Sequence, residues 1–323
     1  MLLRKIKKPL EMEEIPTPTP LPHEVLIRVH CCGLCRTDLH VIDGELPYSK
    51  LPLVLGHQIV GTIVALGSAV THLKLDTRVG VPWLGGSCNH CVYCDSHREN
   101  LCDEAIYTGY QKNGGLAEFC VADARSLFLL PENLSDEHVA PLLCGGLIGY
   151  RALKMTEGAQ KVGLYGFGSS AHLVIQLLKF QQREAFVFTR EKDKQQFAKE
   201  LGATWVGRTQ DLPQAPLDAA IIFAPVGAMV PLALRAVGKG GVVVCAGIHM
   251  SDIPSFPYAL LWEERILRSV ANLTHQDGLE FLPLASRIPI TSKVSCFPLA
   301  QANEAIKQLR KGNISGSIVI KIS

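Results

Sequence analysis

The stretch Lys161-Val162-Gly163-Leu164-Tyr165-Gly166-Phe167-Gly168-Ser169-Ser170-Ala171 decides how this chain folds. Its first five residues predict a buried strand, its glycines a tight turn, and the apolar run from Ser170 to Gln181 a helix. In a G-x-G-x-x-G/A turn of this kind, Gly166 makes the reversal and Gly168 lets the backbone approach a pyrophosphate. Ala171 then allows close packing of helix on sheet. The helix N-terminus offers N–H groups and the positive end of its dipole to phosphates. In isolation these letters would also fit a glycine-rich turn without a ligand; the strand before and helix after favour a dinucleotide.

Outward from this turn the pattern continues. Ala185–Thr189, Asp218–Phe223 and Gly241–Cys245 read as strands, and a charged helix runs to Leu201. Strands alternating with helices imply a parallel, doubly wound sheet, here assigned to residues 151–290. Residues 1–150 read differently. Val25–Val29 and Ile59–Ala65 are dense in β-branched residues and separated by Pro and Gly punctuation. A helix over Gln301–Arg310 and a strand over Ile318–Ile322 end the chain. A length of 323 residues accommodates two cores, and the fold class is α/β.

The second strand of the dinucleotide unit ends on Thr189-Arg190 where an acidic residue would hold the ribose 2′-OH of NAD. An Arg there accommodates a 2′-phosphate. The pair therefore leans slightly to NADP(H) or to use of both coenzymes, with Glu191 and Asp193 close enough to pull the other way.

The net charge of +2, with no basic block, offers no electrostatic footprint for nucleic acid or a membrane surface. The N-terminus lacks an apolar signal region, and no stretch is long and apolar enough to span a bilayer. A cytoplasmic location is expected. In that setting eleven cysteines read as metal ligands and buried thiols rather than disulfides. Cys88, Cys91, Cys94 and Cys102, spaced C-x2-C-x2-C-x7-C, can converge on one ion with little loop strain. Zn²⁺ bound by four thiolates is closed and folds a loop rather than doing chemistry. His90 lies inside the run as a rival ligand. Cys35, His57 and Cys144 are candidates for a second, open site, in which two thiolates and an imidazole balance Zn²⁺ and leave one position free. Spacing alone does not join three ligands so far apart, and Cys32 with Cys35 also forms a C-x-x-C pair.

Family resemblance joins them. Gly33-x-Cys35-x-Thr37-Asp38-x-His40, Gly56-His57, the four-cysteine loop, Cys144-Gly145-Gly146 and the glycine turn occur in one order along essentially the whole chain. In this the chain resembles the zinc-dependent alcohol dehydrogenases of the medium-chain dehydrogenase/reductase superfamily, most of all their short bacterial and yeast forms. The resemblance implies a GroES-like catalytic domain over 1–150, completed by 291–323, and a Rossmann domain over 151–290. It implies two zincs per chain: a catalytic one on Cys35, His57 and Cys144, and a structural one on the four-cysteine loop. Thr37 would bond the alcohol oxygen and pass its proton towards His40, and Asp38 would orient His57. Arg36 would meet the coenzyme pyrophosphate, and Trp83 and Leu46 would line the substrate pocket. Homodimers or tetramers are implied as well. Gln58, Ile148 and Ser317 depart from the residues many members carry, and Leu46, smaller than the usual aromatic, predicts a wider pocket.

Three rival readings have discriminating features. An NADPH-dependent aldehyde reductase of the cinnamyl-alcohol type differs in coenzyme preference. A zinc-ribbon binding protein would need basic or aromatic-rich runs around the loop, which are absent. An iron–sulfur carrier of the bacterial type would bring its fourth cysteine after three residues, followed by Pro, whereas Cys102 comes after seven and is followed by Asp103.

Overall fold

A computed structural model describes residues 1–47, 50–288, 290–312 and 314–322. The chain forms two compact units, Met1–Cys144 with Leu273–Ser323, and Gly145–Asn272. The divisions fall earlier than 150 and 290, for packing reasons. The helix Gly145–Lys154 lies against the helix Ser169–Phe180, so closely that a Cβ on Gly149 would come within 2.5 Å of Val174. The helix His275–Arg287 packs on the first unit, where His275 stacks on Phe128 with centroids 5.0 Å apart.

In the second unit six strands form one sheet in the order Trp205–Gly207, Glu184–Phe188, Lys161–Tyr165, Leu217–Ile222, Val237–Cys245, Ile266–Ser269. All five pairings are parallel. The chain works outward from Lys161–Tyr165 to one edge, then returns to build the other side. Strand order therefore reverses beside Lys161–Tyr165, the point at which doubly wound sheets bind ligands. Parallel strands covered on both faces must be apolar throughout, which explains the near-continuous burial of Val162–Tyr165 and Ala219–Ile222.

Tyr165 is an exception within this core. Its ring stacks on Phe188 at 4.0 Å, but its Oη is buried with no hydrogen-bond partner among the described residues. Burial also pushes its phenol well above the ordinary value. Desolvating a hydroxyl without a partner costs about 1–3 kcal/mol. Tyr165→Phe is therefore expected to raise the melting temperature by a few degrees; an unchanged or lower value in calorimetry would mean that the hydroxyl has a partner.

In the first unit a seven-stranded sheet is built around the long strand Glu24–Leu34. That strand pairs antiparallel with Gln58–Leu66, with Phe119–Asp123 and with the final strand Ser317–Lys321, so the chain's end completes the first unit's sheet. The register pairs Gly33 with Gln58, and Cys32 with Ile59. A Cβ on Gly33 would lie 2.4 Å from Gln58 Oε1, so the Gln58 side chain lies directly over this glycine. The register thereby brings residues 35 and 57, just beyond the paired ends, to the same corner of the sheet. No helix among the described residues is long and apolar enough to cross a membrane.

Candidate catalytic metal site

Cys35 directly follows the long strand and caps the helix Arg36–Asp43. Its Sγ accepts from the Thr37 backbone N–H at 3.3 Å, and its own backbone N–H donates to Asp38 Oδ2 at 2.8 Å. A thiol at a helix N-terminus is easier to ionise. Cys144 arrives from the other direction, at the end of the 3₁₀ turn Ala140–Leu143. Cys35 Sγ lies 3.3 Å from His57 Nε2 and 3.8 Å from Cys144 Sγ, and one ligand atom from each of the three residues falls within 4.8 Å of the others. Tetrahedral zinc at ordinary Zn–S and Zn–N lengths sets S···S near about 3.8 Å and S···N near about 3.5 Å. The donor set fits such an ion, with three protein ligands and no fourth grouped with them among the described residues.

His57 is fully buried and oriented from both ends. Its Nδ1 faces Asp38 Oδ1 at 3.3 Å, and its ring lies edge-on to Trp83 with centroids 4.9 Å apart. The Nδ1 contact lacks the alignment of a full hydrogen bond, so its effect is mainly electrostatic. Burial alone would lower the imidazole pKa. The Asp38 carboxylate and the Cys35 thiolate together outweigh burial and pull it up to about 10. The bond with Cys144, helped by His57, holds Cys35 well below the usual thiol value. The same bond and burial push Cys144 well above it. Metal ligands must be deprotonated, so loading this site releases protons.

The four-cysteine loop is a separate cluster. Its sulfurs lie 3.5 Å (Cys88–Cys102), 3.6 Å (Cys91–Cys94) and 3.8 Å (Cys88–Cys94) apart. All four fall within 4.8 Å of one another, the spacing of a closed tetrahedral zinc. His90 turns its Nδ1 to the Cys88 carbonyl at 2.8 Å, and with Cys88 and Glu104 it makes an alternative group of three ligands, more exposed than the four cysteines. All eleven cysteines are unbridged. Cys32 is fully buried, and burial pushes its thiol up. Its Sγ contacts the Gly33 carbonyl, not Cys35.

Around the open site, Thr37 is half-buried, Arg36 exposed, and Asp38 and His40 buried, all on the helix Arg36–Asp43. Trp83 is 5% exposed and stacks on Tyr107 and Tyr110 at 5.1 and 5.8 Å, while its edge meets His57. It thus supports the His57 ring. Leu46 is half-buried against the core. Tyr107 and Tyr110, which brace Trp83, escaped the sequence reading, as did Glu45, whose carboxylate bonds His40 Nδ1. The signal for Glu45 was the run from His40 to Gly44-Glu45, a helix end reversing at glycine.

In the second unit Gly166 has φ +87°, and a Cβ there would lie 3.0 Å from Ala224. A Cβ on Gly168 would meet nothing within 4 Å, so the space beside it is an open cradle at the start of the helix Ser169–Phe180. Ala171 is fully buried. This pattern suits a pyrophosphate at the helix N-terminus. Thr189 lies at the end of its strand and donates from Oγ1 to Glu191 at 2.8 Å; Arg190 is exposed. Although burial opposes it, the Thr189 bond and nearby cations hold Glu191 below the usual carboxylate value.

Residues 21–132 match the family model for the alcohol dehydrogenase GroES-like domain. The chain is 42% identical to a probable alcohol dehydrogenase from Mycobacterium tuberculosis, over 97% of this chain and 93% of that one. It is 35% identical to an alcohol dehydrogenase from Geobacillus stearothermophilus, over 99% and 98% of the two chains. Among solved structures, a cinnamyl alcohol dehydrogenase from Sorghum bicolor superposes with a TM-score of 0.91 at 25% identity, covering 99% of this chain and 96% of the other.

Proposed function

Because this chain belongs to the zinc-dependent alcohol dehydrogenases of the medium-chain superfamily, we propose that Thr37 and His40 form its proton relay. The protein interconverts alcohols and aldehydes or ketones with NAD(P)(H). The observation that carries the site assignment is the convergence of Cys35, His57 and Cys144 within 4.8 Å. When bound, zinc supplies a Lewis acid that favours loss of the alcohol proton near neutral pH, and the nicotinamide supplies the hydride acceptor or donor. Cys35, His57 and Cys144 hold the metal; Asp38 steadies His57 from behind. Thr37 Oγ1 takes up the alcohol proton only by handing on its own, since a hydroxyl is no base at this pH. His40 is the outer group to which that proton passes. Cys88, Cys91, Cys94 and Cys102 hold the structural zinc.

On coenzyme binding, Gly166, Gly168 and Ala171 form the pyrophosphate cradle; Arg36 is a coenzyme contact on family resemblance. No carboxylate stands at the end of the strand Glu184–Phe188, and Glu191 comes two residues after Thr189, already bonded by it. That supports NADP(H) or dual use through Thr189 and the exposed Arg190. Arg190→Gln is expected to raise KM for NADPH about tenfold, the worth of one charge-assisted contact, and to leave KM for NADH within about twofold. Equal effects on both coenzymes would remove Arg190 from the 2′-phosphate.

Trp83 and Leu46 are the pocket walls in this reading, and the small side chain of Leu46 suits longer primary alcohols or aldehydes. The absent strand-end carboxylate also favours a second reading, a reductase of aldehydes driven by NADPH. Coupled assays of several alcohols and aldehydes with each coenzyme, paired with zinc analysis, separate the two. Equal or greater rates with NADH would remove the reductase reading. The protein is taken to work as a cytoplasmic homodimer or tetramer. Support comes from the edge strand Ile266–Ser269 and the turn before it, where Ile266, Trp262 and Tyr258 are exposed apolar residues. Size-exclusion chromatography with light scattering tests this, and a monomer would refute it.

A further inference from the structure

The helix that carries Thr37, Asp38 and His40 ends at Gly44 with φ 71°, in the left-handed region. A Cβ there would lie 2.7 Å from Ile6 Cγ2, so both backbone and space require glycine. The Gly44 N–H donates to the carbonyls of His40 and Val41, and the Glu45 N–H donates to the His40 carbonyl at 3.0 Å. This reversal folds Glu45 back over the last turn, and its carboxylate bonds His40 Nδ1. The two side chains differ in exposure, 10% for His40 against 43% for Glu45, so the carboxylate meets the ring from the solvent side. The neighbouring acid, Asp43, is not available for this task. It is held by both Nη atoms of Arg310, at 2.7 and 2.9 Å.

An ionised carboxylate only accepts hydrogen bonds. Opposite Glu45, neutral His40 must therefore carry its proton on Nδ1, which leaves the lone pair on Nε2. We propose that Glu45 is the positioning residue of the proton relay, fixing His40 in the tautomer whose Nε2 accepts the alcohol proton and counterbalancing the imidazolium that results. The inference rests on the relay reading given above. One proton enters at Nε2 and the imidazolium then gives one proton to water, so His40 returns to neutral and Glu45 is unchanged.

The test is a double-mutant cycle in the full enzyme with Glu45→Gln, His40→Gln and the pair, reading kcat, alcohol KM and the solvent deuterium isotope effect on kcat. Melting temperature and zinc content confirm folding, and Glu45→Ala replaces the Gln variant if that one fails to fold. Glu45→Gln is expected to lower kcat about tenfold, leave KM within about twofold and raise the isotope effect. In the His40→Gln background the same change should alter kcat by less than about twofold. An equal loss of kcat in both backgrounds would make Glu45 merely structural and overturn the proposal. So would wild-type kcat and isotope effect in Glu45→Gln while His40→Gln is impaired, an outcome that leaves the relay standing. Full activity in His40→Gln would remove the relay itself.

Discussion

Cys35→Ala is expected to abolish turnover, lowering kcat/KM by about 10³-fold or more while the chain still folds. The magnitude follows from the several kcal/mol that a Lewis acid contributes to stabilising charge in the transition state, at about 1.4 kcal/mol per factor of ten. Cys35 is the hub of the site: its sulfur touches both His57 Nε2 and Cys144 Sγ, whereas no direct bond between the latter two is seen. Removing it leaves a buried imidazole beside the Asp38 carboxylate and one thiol, too few ligands to retain zinc. The fold should survive, because the strand register and the four-cysteine loop are untouched. Zinc analysis of the variant should find one equivalent instead of two. Normal activity in this variant would remove the metal from the reaction.

Cys94→Ser should act on stability instead. Cys94 Sγ lies within 3.8 Å of both Cys88 and Cys91, so its loss opens the tetrahedron. Beyond the short helix Val92–Asp95 and the 3₁₀ turn Glu99–Leu101, little regular structure holds this segment. Its apolar Val92 and Leu101 are exposed, so there is no core to replace the metal. One further tie comes from Glu99, whose Oε1 accepts from the His275 backbone N–H at the start of the helix His275–Arg287. Loss of the ion therefore frees the loop and loosens that helix end. A structural zinc contributes many kcal/mol to folding, and even about 4 kcal/mol in a unit of this size corresponds to a fall in melting temperature of about 10 °C. The variant should hold one zinc per chain. An unchanged melting temperature with unchanged zinc would mean that the loop holds no structural metal.

The parts of the fold that could be read from sequence are those whose signal is local. The strand, turn and helix from Lys161 to Gln181 announce themselves because a buried parallel strand is a continuous apolar run and the turn needs its glycines. Ile266–Ser269 offered no such run, since it lies at a sheet edge and is largely exposed. The helix His275–Arg287 was hidden by Pro283 within it, and Gly145–Lys154 by its glycines, which permit close packing on Ser169–Phe180 but weaken a helical signal. The first unit's two metal sites make the same contrast. The four cysteines of the loop are near neighbours, so their spacing nearly specifies their geometry. Cys35 and His57 meet only because Gly33 pairs with Gln58 across two strands, and Cys144 joins them from 109 positions away. No periodicity records such a meeting; it came from family resemblance, and the register supplies the physical cause. Glu45 was missed for the opposite reason: an acid after a helix-ending glycine ordinarily reads as surface.

In the proposed site one ion is held by two sulfurs and one imidazole nitrogen, apart from the four-cysteine loop. Anomalous X-ray diffraction from crystals of the zinc-loaded protein, collected on both sides of the zinc absorption edge, tests it most directly. Two peaks per chain are predicted, one among Cys88, Cys91, Cys94 and Cys102 and the other among Cys35 Sγ, His57 Nε2 and Cys144 Sγ. A single peak confined to the four-cysteine loop would mean that Cys35, His57 and Cys144 hold no zinc.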